Sequence, residues 1–150
     1  MEKKRKIIPP VYLVLTLALM WFCHRFIPVL QYIDEPVVYL GVILVLFGVL
    51  MAAVSAAKFK LVKTGLQPFE EATSLVTSGF YRVTRNPMYM GMFMMLSGVA
   101  VLMGSVGAWL PVPAFVLIIR NNFVLGEERF MEAAFGEQYL DYKSTVRRWL

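Results

Sequence analysis

From Pro36 to Ala57 the chain carries no charged residue. A helix rising 1.5 Å per residue needs roughly 20 apolar residues to cross a hydrocarbon core. This run meets that length and composition, so a membrane-spanning helix is its natural reading. Three further apolar stretches follow the same rule: Pro10 to about Leu30, Pro87 to about Met103, and Ala108 to Leu125. Hydrophobic residues make up 59% of the chain, charged residues 17%, and the mean hydropathy is +0.64, far from an ordinary soluble domain. The sequence therefore predicts an all-α integral membrane helical bundle. It has four transmembrane helices, at about 10–30, 36–57, 87–103 and 108–125, and a cytoplasmic amphipathic helix at the C-terminal end. One domain covers 1–150, with a cytoplasmic loop at 58–86 and a cytoplasmic segment at 126–150. His24 and Arg25 interrupt the first stretch, which predicts that its span ends near Phe22. Arg120, inside the fourth stretch, reads as a snorkelling residue or part of a site.

Orientation follows from the basic residues, because short loops rich in Lys and Arg stay in the cytoplasm. Lys3, Lys4, Arg5 and Lys6 precede the first span, and Lys58, Lys60, Lys63, Arg82 and Arg85 lie between the second and third. Arg129, Lys143, Arg147 and Arg148 follow the fourth. Four spans with both termini cytoplasmic satisfy this distribution. The net charge of +5 is thus a topology signal, not a sign of nucleic-acid binding. The basic start and apolar run resemble a signal peptide, but a small-residue cleavage site is lacking, so the segment reads as a retained span.

Several chemistries are disfavoured. A lone cysteine, Cys23, allows no intrachain disulfide and no cysteine metal cluster, and a lone histidine, His24, makes a His-ligated metal site improbable. No metal is expected. Glycine-rich nucleotide loops, nucleophile elbows and fixed-period repeats are absent from the sequence.

The organised polar content lies on the cytoplasmic side. Thr64 to Arg85 is a connection of about two dozen residues, yet Leu66, Phe69, Leu75, Val76, Phe80, Tyr81 and Val83 would be wasted in a solvated linker. It is expected to fold back on the helix ends, with Ser78-Gly79 as a turn. Asn86-Pro87 reads as a helix start, in which Asn accepts a bond from first-turn N–H groups and Pro loses nothing at the first position. The positive end of that helix dipole suits an anionic ligand group, although the pair also reads as a cap alone. Glu127-Glu128 follows a helix C-terminus, an unfavourable place unless a new helix begins at Gly126 or a cation is held nearby. These acids also fit a solvated first turn. Beyond them, Phe130, Ala134, Phe135, Tyr139 and Tyr142 recur near helical spacing, an amphipathic segment broken at Gly136.

Leu75-Val76-Thr77-Ser78-Gly79-Phe80-Tyr81, then Arg85-Asn86-Pro87-Met88-Tyr89-Met90-Gly91, then Glu127-Glu128 and Phe135-Gly136-Glu137-Gln138-Tyr139-Leu140-Asp141-Tyr142 form an ordered set. It resembles the membrane methyltransferases of the isoprenylcysteine carboxyl methyltransferase family, whose broader pattern phospholipid N-methyltransferases share. The resemblance covers about Pro68 to Leu150. It implies S-adenosylmethionine as methyl donor, bound at the cytoplasmic helix ends, and a lipophilic acceptor entering from the bilayer. Carried over by position, cofactor-contacting residues fall on Gln67, Thr73, Ser74, Leu75, Val76, Tyr81, Asn86, Pro87, Met88, Tyr89, Glu127 and Glu128.

Methyl transfer of this kind is a direct displacement, so orientation and exclusion of water dominate, worth roughly 7–11 kcal/mol. If the acceptor is an amine, Glu128 is the candidate base. The eukaryotic members place His where this chain has Asn86, and the family's substrate-side arginine position is Phe123 here, with Arg120 one turn earlier as a possible substitute. The acceptor is therefore open among an isoprenylcysteine-like carboxylate, a thiol and a phospholipid amine. The compact chain reads as prokaryotic, placing it in a cell inner membrane among membrane lipids. A small four-helix transporter and a structural or assembly subunit are the alternatives. The first would want an acidic residue inside a span, and the first three spans hold none; the second leans on Gly48, Ala52 and Ala56 on one helix face and Ala100 with Gly104 on another.

Overall fold

A computed structural model describes residues 8–27, 30, 35–61 and 74–150. Their elements are α1 (Pro9–Phe26), α2 (Glu35–Leu61), a 3-10 turn (Gly79–Arg82), α3 (Pro87–Met103), α4 (Val106–Trp109), α5 (Pro111–Ile119), a π turn (Arg120–Val124), α6 (Leu125–Phe135) and α7 (Glu137–Thr145). The runs Pro9–Phe26, Pro36–Lys58 and Val106–Phe135 are long and apolar enough to cross a membrane, and Pro87–Met103 is a shorter apolar helix. α1 runs as one helix through His24 and Arg25 to Phe26. Those side chains do not stop it, because His24 turns inward and its Nδ1 lies 2.7 Å from the buried Ser105 hydroxyl.

The bundle is organised by α2 and α3, which run antiparallel at unusually short range. A Cβ on Gly48 would lie 2.5 Å from the Gly91 carbonyl oxygen, and one on Gly91 would lie 2.6 Å from the Gly48 oxygen. The same reciprocity links Gly98 and Gly41, at 2.6 Å and 3.0 Å from each other's carbonyl oxygens. Two glycine pairs, spaced seven residues apart on each helix, let backbone meet backbone. Small-residue packing was legible at Gly48 and Ala52, both of which abut Gly91, while Ala100 lies in the core and Gly104 ends α3. The opposite face of α2, with Leu40, Ile43, Leu46 and Leu50 exposed, fits contact with lipid tails.

The other end of α3 stops at Gly104, whose left-handed φ of 62° turns its N–H back to the carbonyls of Ala100 and Val101. α4 then packs on α1, and α5 leads back along the bundle. Met20, Leu96, Ala100, Val112, Phe115 and Phe123 form the core among α1, α3 and α5.

The 3-10 turn docks on α2, with Phe80 edge-on to Phe47 at 6.0 Å and Lys58 donating to the Ser78 hydroxyl at 2.8 Å. The folding back expected for this connection is met in its described part. At the end of α6 the chain bends at Gly136, φ 53°, where the amphipathic segment was expected to break.

Gly91→Val is expected to damage the fold far more than Ala53→Val, since Ala53 is exposed while Gly91 abuts backbone that cannot move aside. The loss should reach or exceed the roughly 1–3 kcal/mol of ordinary overpacking, read as loss of folded protein in detergent. Gly104→Ala should cost about 1–2 kcal/mol, the penalty for a Cβ in the left-handed region, seen as a lower thermal midpoint.

Candidate functional site

The site forms where the start of α3, the 3-10 turn, α6 and the segment after α7 meet at one end of the bundle. Its geometry depends on the π turn. The Leu125 N–H reaches back to the Arg120 carbonyl, one residue farther than in an α-helix, so the helix passes through Gly126 without a new start. The acidic pair therefore sits within a continuous helix, and the expectation of a fresh helix at Gly126 does not hold. Of the two conditions for placing acids there, the second is met: cations are held nearby.

Glu127 faces α3. The Tyr89 hydroxyl donates to its Oε1 at 2.7 Å. Adjacent residues on a helix point about 100° apart, so Glu128 turns elsewhere. It is buried, and the Arg148 guanidinium clasps it through Nε to Oε1 and Nη2 to Oε2, each at 2.8 Å. The Arg85 Nη2 stands 3.3 Å from the same carboxylate. A buried carboxylate survives because two guanidinium groups replace its water, one of them bidentate.

The segment carrying Arg148 lies across the start of α3. The Arg85 N–H donates to the Arg147 carbonyl at 2.9 Å. The Thr84 hydroxyl and the Asn86 Nδ2 both donate to the Arg148 carbonyl, at 3.0 and 3.1 Å. Asn86 thus departs from expectation: α3 starts at Pro87 as predicted, but the Asn86 side chain makes no cap bond to the first turn. Its amide is drawn to a tertiary carbonyl, while its own carbonyl accepts the Met90 N–H within the helix.

Tyr81 is buried nearby, and its carbonyl accepts the Tyr142 hydroxyl at 2.6 Å. Burial, together with Tyr142 and Glu127, pushes the Tyr81 hydroxyl above its ordinary range, keeping it a proton donor. Pro87 is buried and Met88 half-buried at the same helix start. Ser74, Leu75 and Val76 precede the 3-10 turn, with Val76 buried; among the described residues, no hydrogen bond or ion pair ties them to Asn86 or Glu127. Gln67 and Thr73 lie outside the described residues. Arg120 sits in the π turn itself, and among the described residues no ion pair joins it to Glu127 or Glu128.

Sequence reasoning used Arg85 and Arg148 as topology signals, and Arg85 as part of a motif, without giving either a place in the site; Thr84 and Trp149 received no role. A buried acid demands a cation, which was the available signal for the arginines; nothing local marks Trp149. The Arg85 Nε and Nη1 are buried and find no hydrogen-bond partner among the described residues. An apolar cavity of about 210 Å³ is bounded by Tyr89, Met90, Phe93, Phe115, Val116, Ile119 and Trp149. Tyr89 belongs to both, its hydroxyl on Glu127 and its ring on the cavity. Among the described residues there is no group of His, Cys, Asp and Glu able to hold a metal ion.

The model of the phospholipid methyltransferase family matches residues 36–138. An uncharacterized protein of Haemophilus influenzae is 38% identical over 63 residues, 42% of this chain and 100% of its own length. Protein-S-isoprenylcysteine O-methyltransferase A of Arabidopsis thaliana is 35% identical over 83 residues, 52% of this chain but only 40% of that protein. No solved structure gives a significant match. The resemblance read from the motifs and the family match agree, and the chain belongs to the phospholipid methyltransferase family.

Proposed function

We propose that this chain is an S-adenosylmethionine-dependent methyltransferase acting on a lipophilic acceptor at the cytoplasmic face of a membrane. In this reading Pro87–Met103 is a fourth span, α7 lies at the membrane surface, and both termini are cytoplasmic, consistent with the start of α1, the end of α2, the start of α3 and the acidic pair sharing one end of the bundle. Tyr12 at the start of α1 meets Phe123 at 5.7 Å, which supports that placement. The observation that carries the proposal is the Tyr89–Glu127 hydrogen bond, which joins two motifs far apart in sequence through a residue whose ring also lines an apolar cavity.

The residues present fit the cofactor. The uncommitted Nε and Nη1 of Arg85, beside the positive end of α3, match a carboxylate. Glu127, whose second oxygen has no bond among the described residues, matches an ammonium group or ribose hydroxyls. S-adenosylmethionine would supply an electrophilic methyl group on a sulfonium. Tyr81 and Tyr89 offer aromatic faces and hydroxyls to orient such a ligand. The buried rings of Tyr89 and Phe123, with centroids 6.4 Å apart, exclude water from the inner wall.

The geometry favours a different division of labour between the acids from the one first expected. Glu128, with both oxygens engaged by guanidinium groups, holds α6 to the segment after α7. Glu127 faces the open site and is the better placed to take a proton from an amine acceptor. Arg120, without an ion pair to either acid among the described residues, would touch an acceptor only from the membrane side.

Purified protein titrated with S-adenosylmethionine should bind saturably. Glu127→Ala should weaken binding by about tenfold or more, the scale of one charge-assisted hydrogen bond, and Asn86→Ala should weaken it less, by loosening the segment whose Arg148 carbonyl its amide holds. A folded preparation that does not bind would overturn the reading.

A further inference from the structure

The residues after α7 do more than close the bundle end. Arg147 and Arg148 are tied through their carbonyls to Arg85, Thr84 and Asn86, and through the Arg148 guanidinium to Glu128. Five polar contacts thus fix a short extended segment, Val146 having left helical geometry at φ −117°, ψ 129°. Their common effect is to aim the next side chain, Trp149, between α3 and α5, where it packs on the core and walls the apolar cavity. Trp149 is otherwise out of place: an indole on a polar, arginine-bearing strand, turned into a hydrophobic cleft.

The cavity's chemistry and size limit its occupant. Every wall other than Tyr89 and Trp149 is a Met, Phe, Val or Ile side chain, so it suits hydrocarbon. Its volume of about 210 Å³ falls below the roughly 300–1,000 Å³ of small-molecule sites. One segment of a single hydrocarbon chain fits; a nucleoside or a pair of acyl chains does not. On α5 the neighbouring Leu117 and Ile118 are exposed and face where lipid tails would lie, so a chain could pass into the cleft from the side.

We propose that Trp149 sets how much of the acceptor's hydrocarbon the site admits, and that the Arg148–Glu128 clasp is the positioning contact that holds it there. This rests on the lipophilic-acceptor reading above. Glu127 and Tyr89 mark the polar end of the acceptor's path, and Trp149 bounds its apolar part. Removing the indole extends the cleft, and releasing the clasp lets the indole leave it.

Photolabelling tests this without knowledge of the acceptor. Full-length protein in phosphatidylcholine nanodiscs is irradiated with decanoic or hexadecanoic acid bearing a terminal diazirine, and labelled positions are read by peptide mass spectrometry. The measured ratio is labelling at Phe93, Phe115 and Val116 over labelling at the lipid-facing Leu117 and Ile118. Trp149→Ala should raise that ratio roughly tenfold, the scale on which hydrophobic pockets separate ligands by a methylene, and more for the longer probe. Arg148→Ala should reproduce the rise, Arg148→Lys should largely restore the original ratio, and Trp149→Phe should fall between. Equal ratios in the original protein, Trp149→Ala and Arg148→Ala would overturn the proposal; if Trp149→Ala does not fold, Trp149→Phe with Arg148→Ala decides it. A parallel S-adenosylmethionine titration separates the two ideas. Absent binding by the original protein refutes the methyltransferase reading, whereas unchanged labelling with intact binding refutes only the role of Trp149.

Discussion

Backbone contact between α2 and α3 is the constraint on which the other parts depend. In a bilayer, lipid tails are as apolar as the helix surface, so apolar burial gives little reason for helices to associate. Dispersion contacts must supply it, and these fall off steeply with separation. The reciprocal glycines, Gly48 with Gly91 and Gly41 with Gly98, remove the side chains that would hold the axes apart. That contact fixes where α3 begins in space. Thr84, Arg85, Asn86 and Tyr89, all at or just before the first turns of α3, inherit their positions from it.

The second level is electrostatic. Placing Glu128 under cover carries a desolvation cost of several kcal/mol, offset only because Arg148 meets both oxygens and Arg85 stands beside them. Such a cluster contributes little net stability but strongly penalises alternatives, since any other packing of the last segment strands a charge. It therefore specifies one arrangement of α6 against the residues after α7. The more exposed Glu127 is left with a single tyrosine partner and an open side.

Much of this was legible in the sequence, for identifiable reasons. Long uncharged runs can only be membrane-length helices, Pro87 marks a helix start, and glycine at 136 marks a bend, so those features follow from local chemistry. Two apolar segments between the Asn86-Pro87 and Glu127-Glu128 motifs bring both to one end of the bundle, but nothing in the sequence marked Tyr89 as the residue that bonds Glu127. What escaped is non-local or cooperative. Asn86 looked like a cap because its best partner, the Arg148 carbonyl, is 62 residues away and carries no sequence mark. The π turn depends on an i to i+5 bond that no residue in Arg120–Val124 demands. Glycine pairing requires knowing which faces meet: Gly48 stood out for its small neighbours, and Gly91 did not.

That π turn has a consequence for how such a chain tolerates change in length. It holds one residue more than a regular turn would, and each residue of a helix is worth about 100° of rotation. Loss of a single residue anywhere in Arg120–Val124 could be absorbed by reverting to plain α-helix, leaving the membrane segment and its hydrogen bonding intact. Because the wider turn alone carries the extra residue, everything downstream would keep its facing, with Glu127 still on Tyr89 and Glu128 still on its arginines. The segment is thus a point where one deleted codon spares both the fold and the site, whereas a deletion within Leu125–Phe135 would turn the residues beyond it by about 100°.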